Sequence, residues 1–177
     1  QLEGRMRGFQ LWINLPAKEK MKPAGYRDIQ PDEIPQQALA GGGQVKVIAG
    51  TLQSDGIELA GPIAGLSTDP LYLDVSLPAG ATFTPQLTRG HHAMAYVFEG
   101  QLGLSGDESL LATHSAAILS DGDHAVFVAG PEGARFLVLA GKPINEPIAQ
   151  YGPFVMNTVA EIEQAIIDYQ NGRLTAA

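Results

Sequence analysis

The sequence predicts an all-β fold, an antiparallel barrel of the jelly-roll kind, followed by one C-terminal α-helix. Short apolar segments recur along residues 44–139 with turn residues between them, a pattern typical of closed or sandwiched antiparallel sheets. The 21 glycines and 12 prolines are scattered along the chain, which favours many short strands joined by turns. After residue 157 the apolar spacing changes to that of a helix.

Alternating apolar side chains define the expected strands, and 71–77 is the clearest example, with Leu71, Leu73, Val75 and Leu77 on one face. The other expected strands are 8–15, 44–49, 93–98, 101–104, 116–119, 124–128 and 134–139. Turns are expected at 78–80, 113–115, 121–123 and 131–133, where Gly, Pro, Asp and Ser cluster.

The chain divides into three expected segments. Residues 1–43 are expected to form an interdomain strand and linker arm, because 16–43 has no sustained period and contains four prolines. Residues 44–157 would form the barrel, and 158–177 a helix that packs on the barrel or on another domain. Thr158 and Glu161 fit a capping box. The apolar face of this helix is expected to contain Ile162, Ala165, Ile166 and Tyr169.

Charge and composition exclude several classes of function. A net charge of −8 argues against direct binding of nucleic acid, which requires clustered positive charge. The absence of cysteine excludes disulfides, thiolate nucleophiles and cysteine-based zinc sites. No apolar run approaches the roughly 20 residues of a membrane span, and no signal-peptide pattern opens the sequence. We therefore expect a cytoplasmic protein without a membrane segment.

The four histidines are weak candidates for a metal site. Such a site needs three or four ligands that converge on one point, whereas the adjacent His91 and His92 would point to opposite faces of a strand. His114 falls in an expected turn, and His124 opens a separate strand. We expect surface or hydrogen-bonded histidines instead. No serine-nucleophile elbow or phosphate-binding loop occurs in the sequence.

Two stretches resemble the paired motifs of a cupin barrel: 85–100, which contains the run YVFEG, and 119–124, which contains Gly122-Asp123 and continues to 134–137. The flanking segments resemble the pirin family. They are GFQLWIN at 8–14 running into LPAKEKM, AGKPINEP at 140–147 and QYGPFVMNT at 150–158. The chain is identified as a member of this family, which implies a cupin-type double-stranded β-helix (jelly-roll) barrel.

Pirins resemble a tandem of two cupin domains with an iron site in the N-terminal one. The resemblance implies that this chain is the C-terminal domain with the connecting strand and linker, and that an N-terminal cupin domain is missing. When the family's iron-binding motif is aligned with this domain, the ligand positions fall on Gln86, Thr88, Arg135 and Leu137. Leu137 has no lone pair and Arg135 is permanently charged. We therefore expect no metal, catalytic or cofactor-binding residue here.

The resemblance further implies that the intact protein is an iron-dependent quercetin 2,3-dioxygenase, and that this chain is its structural or interaction partner and inactive alone. A regulatory protein partner is implied for some members. The alternative is a metal-free barrel that binds a small molecule or a protein and has a redox-linked regulatory role.

We also expect a homo-oligomer, because apolar side chains at 9–13 and on the helix would otherwise be exposed. Candidate residues for a pocket are His91, His92, Tyr96, Phe98, Phe127 and Phe136.

Overall fold

The computed structural model describes residues 8–104 and 109–174. The chain divides into two compact units. The larger unit runs from Tyr26 to Pro143, and the smaller unit combines the residues up to Gly25 with those from Ile144 onward. Among the described residues, no helix is long and apolar enough to cross a membrane.

The larger unit consists of antiparallel strands, as the sequence predicts. The strands are β1 (Gln36–Ala38), β2 (Gln44–Ala49), β3 (Thr51–Ser54), β4 (Ile57–Ala60), β5 (Leu71–Leu77), β6 (Thr82–Phe83), β7 (His92–Leu104), β8 (Leu110–Leu111), β9 (Ala116–Leu119) and β10 (Phe127–Gly141). Eight of them form one sheet in the order β1-β2-β5-β10-β7-β8, with β6 paired to β10 and β9 paired to β7. Strands β3 and β4 form a separate hairpin.

The core of the larger unit is apolar and lies between the inward faces of its strands. Phe127 and Phe136 are fully buried, and their ring centroids are 5.1 Å apart. Phe83 stacks on Phe127 at 6.4 Å. Removing each such side chain from water contributes roughly 1.5–3 kcal/mol to the stability of the fold.

Strand β10 is continuous through residues 131–133, where the sequence led us to expect a turn. The pairing of β10 with β7 changes register between Ala129 and Ala134. Gly133 has a φ of 83°, and a Cβ there would lie 2.8 Å from the carbonyl oxygen of Leu77. The Pro-Glu-Gly cluster is therefore an irregularity of the β-bulge kind within one strand, and a glycine with positive φ is a common mark of such a bulge.

Residues 8–15, expected as a strand, form none in the described structure. A strand is stabilised by hydrogen bonds to a neighbouring strand, and no described strand pairs with these residues. Conversely, residues 36–38, which the sequence assigned to the arm, form β1 and pair with β2 from Gln36↔Lys46 to Ala38↔Gln44.

The smaller unit contains a short hairpin and the C-terminal helix. Its elements are β11 (Ala149–Tyr151), β12 (Phe154–Met156) and α1 (Val159–Gln170). The predicted capping box is present, because Thr158 Oγ1 accepts a hydrogen bond from the Glu161 amide while the Glu161 carboxylate accepts from the Thr158 amide at 2.8 Å. On the predicted apolar face, Ile162 and Ala165 are buried.

Polar contacts connect the N-terminal segment of this unit to its C-terminal segment. Lys20 Nζ donates to Asn14 Oδ1 at 2.6 Å and to the Val155 carbonyl at 3.0 Å. Glu146 Oε2 accepts from the Ala17 amide at 2.7 Å and from Asn157 Nδ2 at 2.9 Å. These contacts order the segment without strand pairing.

Candidate functional site

The side of β10 on which a residue lies decides whether it can face the interior of the barrel. Phe136 is in the core together with Ala134 and Val138. Because successive side chains of a strand point to opposite faces, Arg135 and Leu137 lie on the opposite face. Arg135 is exposed there, whereas Leu137 is only 5% exposed and is buried outside the main core cluster.

The surroundings of Arg135 agree with this placement. Arg135 Nη1 donates to Glu99 Oε2 at 3.3 Å, and the guanidinium lies 5.0 Å from the centre of the Phe98 ring. The side chains that do point inward here, Phe136 and Val138, have no lone pair to offer a metal.

Gln86 and Thr88, the other two positions that the iron motif assigns, lie in the loop between β6 and β7. Both residues are exposed. The backbone of Gln86 forms an isolated bridge with His124, and its amide donates to the Gln53 carbonyl at 2.7 Å. Their side chains line a cleft that contains neither Arg135 nor Leu137. The structure therefore does not bring the four positions together.

The six residues considered for a pocket are dispersed in the same way. Phe127 and Phe136 pack against each other in the core, and Phe98 is buried beneath Arg135. Tyr96 is paired with Leu137 and lies on the opposite face of β7 from the buried Ala95 and Val97. His92 is exposed at the start of β7. His91 is the one member of this set that lines the cleft.

The described residues do not fit the iron that the family resemblance implies. Among residues 8–104 and 109–174, no three His, Asp or Glu side chains lie close enough to hold a metal ion. His124 Nδ1 contacts the neighbouring Asp123 carboxylate at 2.7 Å, and His114 occupies the predicted turn with a φ of 67°. Iron in proteins is held by several imidazole or carboxylate ligands that converge.

A cleft of about 320 Å³ at the surface of the larger unit is a candidate site. The β6–β7 loop and the ends of β3, β5 and β10 form its walls. It is lined by Gly50, Thr51, Gln53, Ala64, Gly65, Asp69, Pro70, Leu71, Gln86, Leu87, Thr88, His91 and Ala140.

Two aspartates hold the β6–β7 loop in place. Asp123 Oδ2 accepts from Arg89 Nη2 at 2.7 Å, and its backbone carbonyl accepts from the Leu87 amide at 2.8 Å. Asp121 Oδ1 accepts from the Gly90 amide at 2.6 Å. Hydrogen bonds from His124 and then Arg89 hold the pKa of Asp123 below its ordinary value. Sequence reasoning placed Asp123 in a turn and in a cupin-like motif and did not identify this clamp.

Comparison with known proteins identifies the family. Residues 72–175 match the family profile of the Pirin C-terminal cupin domain. A Pseudomonas aeruginosa protein with the provisional name quercetin 2,3-dioxygenase is 50% identical over 175 residues, 98% of this chain and 61% of that protein. Human Pirin is 36% identical over 169 residues, 94% of this chain and 56% of that protein.

A solved structure gives the same result. The crystal structure of quercetin 2,3-dioxygenase from Acinetobacter baumannii is 36% identical, with a TM-score of 0.82 over 93% of this chain and 56% of that one. The chain thus spans about 60% of the length of the curated relatives it matches. The predicted cupin-type jelly-roll fold is confirmed. The chain belongs to the pirin family, of which it contains the C-terminal cupin domain.

Proposed function

We propose that this domain is the metal-free partner of an N-terminal, iron-carrying cupin domain in a longer protein that oxygenates flavonols such as quercetin. The observation that carries the proposal is the apolar interior of the barrel. Where a cupin metal site would need imidazoles or carboxylates, the inward side chains are Val97, Phe127, Phe136 and Val138, all fully buried.

The lengths and names of the relatives support the rest of the proposal. The Pseudomonas and Acinetobacter proteins carry quercetin 2,3-dioxygenase names and extend well beyond the region that this chain matches. In the longer protein, the iron would supply the redox centre for chemistry with dioxygen. This chain would contribute packing, because residues 8–104 and 109–174 supply no ligand set of their own.

Quercetin turnover tests this division of roles. We would follow the loss of quercetin absorbance and the uptake of oxygen, using this chain alone and a longer protein that includes an N-terminal cupin domain. We expect turnover by the longer protein loaded with iron and none by this chain alone. Turnover by this chain would overturn the partner role. An iron-loaded longer protein that is inactive on quercetin would overturn the substrate assignment.

Binding of a small molecule by this barrel itself is a second candidate function. The polar cleft at the β6–β7 loop favours it, because several hydrogen-bonding side chains meet there. This function would require no metal.

A further inference from the structure

We propose that the cleft at the β6–β7 loop binds a small, neutral, polyhydroxylated molecule, about the size of a monosaccharide. The proposal goes beyond the partner role and does not depend on whether the longer protein oxygenates flavonols. It is carried by four properties of the cleft: its unused hydrogen-bonding groups, the absence of Lys, Arg, Phe, Tyr and Trp from its described lining, its size and its fixed wall.

Hydrogen-bonding side chains line the cleft without partners of their own. In the described part of the chain, none of these side chains hydrogen-bonds another residue. An amide offers two donors and an acceptor, so that one glutamine can hold two neighbouring hydroxyl groups of a ligand. The side chains are those of Thr51, Gln53, Asp69, Gln86, Thr88 and His91.

The lining also discriminates between classes of ligand. It includes no Lys or Arg among the described residues, so that a phosphate or carboxylate would lack the charge-assisted donors that such groups prefer. The neighbouring Arg89 is already paired with Asp123. Of the described residues that line the cleft, none is Phe, Tyr or Trp, so that an aromatic ligand would meet only the imidazole of His91 as a stacking partner. A neutral, non-aromatic ligand is therefore favoured.

Apolar surface is available for the C–H groups of such a ligand. Pro70, Leu71, Leu87 and Ala140 contribute this surface beside the polar groups. The volume of about 320 Å³ is at the small end of the range of about 300–1,000 Å³ that is typical of ligand pockets. A single sugar ring suits this combination better than an extended polyphenol.

The wall of the cleft is fixed before any ligand arrives. Asp121 and Asp123 clamp the β6–β7 loop from one side. On the other side, Gly50 packs so closely on β5 that a Cβ would lie 2.5 Å from the Pro70 carbonyl oxygen. A preformed site loses less conformational entropy on binding than a flexible one.

The test is a titration of the ¹⁵N-labelled chain by NMR with D-glucose, D-galactose and D-mannose as neutral probes. D-glucuronate and quercetin serve as anionic and aromatic probes. We expect at least one hexose to shift the amide signals of Gln53, Gln86 and Thr88, with saturation at about 1–10 mM. Gln86→Ala and Gln53→Ala should each weaken binding about threefold to tenfold, because each removes a hydrogen-bonding side chain.

Gln44→Ala is the matched control, since Gln44 is also an exposed glutamine on a strand but lies outside the cleft. It should bind as the unaltered chain does, and the dispersion of each spectrum reports whether the variant is folded. The proposal is overturned if no hexose gives a saturable shift at about 100 mM. It is also overturned if only glucuronate or quercetin binds, or if Gln44→Ala weakens binding as much as Gln86→Ala does.

Discussion

Phe136 shows at the scale of one residue why the interior of this barrel is packed core. Its side chain is fully buried against Phe127. We expect Phe136→Ala to lower the free energy of unfolding by about 3–5 kcal/mol, because it removes apolar contacts and leaves a cavity. Urea denaturation monitored by circular dichroism measures this loss.

Ile118→Ala is the control for that substitution. Ile118 is 79% exposed, and its truncation should change stability by less than about 0.5 kcal/mol. Equal losses in the two variants would contradict the assignment of Phe136 to the core.

Gly100, which closes the YVFEG run, is required by the backbone. Its φ is 70°, and a Cβ there would collide with the carbonyl group of Gly133. We expect Gly100→Ala to cost more stability than Gly90→Ala, by at least about 1 kcal/mol. Gly90 has a similar φ of 79° but open space around it. The loss of stability in Gly90→Ala therefore measures the conformational cost of alanine at positive φ without a collision. Thermal unfolding of both variants decides the point, and equal losses would refute the steric explanation.

Sequence reasoning identified the correct residue types at several positions but not always the direction of their side chains. Gly100 was recognised as part of a motif, and His114 as part of a turn. The assignment of motif positions to Arg135 and Leu137 passed through the irregularity near Gly133. The direction of a strand side chain depends on such irregularities, and counting along the sequence cannot detect them. The cleft could not be predicted from the sequence, because its residues come from separate strands and loops.

At the scale of an element, the clamp on the β6–β7 loop should respond to acid. The pKa of Asp123 is lowered first by its hydrogen bond to His124 and then by Arg89. Since the folded-state pKa is below the ordinary value of 3.8, the stability that this carboxylate contributes is present above that value. It is lost as the pH falls through the lowered pKa. Asp121, which accepts from Gly90, is the neighbouring carboxyl.

His124→Ala tests this account. We expect the pKa of Asp123 to rise towards 3.8, so that the clamp weakens at a higher pH than in the unaltered chain. Titration of the side-chain carboxyl carbons by NMR measures the change. His92→Ala, which removes an exposed histidine outside the clamp, is the control. An Asp123 pKa that is the same in both variants would show that His124 does not lower it.

Elements with strong local signals were predicted well. Strands β2, β5 and β9 match the predicted bounds, and α1 begins after the predicted cap at Thr158. The β3–β4 hairpin was missed although Asp55-Gly56 is a strong turn signal, and both residues have positive φ. The expected strand at 8–15 did not form, because pairing depends on a neighbour that local sequence does not specify.

At the scale of the whole molecule, exposed apolar residues near the N-terminus predict self-association. Phe9, Leu11, Trp12 and Ile13 are all exposed, Trp12 by 68%. Such surface tends to be covered in solution. We expect a dimer or larger assembly in sedimentation velocity at about 50 µM.

Trp12→Ser should weaken that assembly by at least about tenfold, since a buried tryptophan commonly dominates an interface. Tyr26→Ser, which removes an isolated aromatic side chain that is 92% exposed, should leave it unchanged. A clean monomer of the unaltered chain would rule the assembly out.

The central claim is that this cupin barrel is the metal-free partner of an iron-carrying domain. Elemental analysis and intact mass of one purified sample, after incubation with ferrous iron under nitrogen and removal of the excess, test it most directly. We predict a mass of 18.7 kDa without stoichiometric transition metal. One bound metal ion per chain at that mass would contradict the claim, and the first residues to replace would then be His91, His92, His114 and His124.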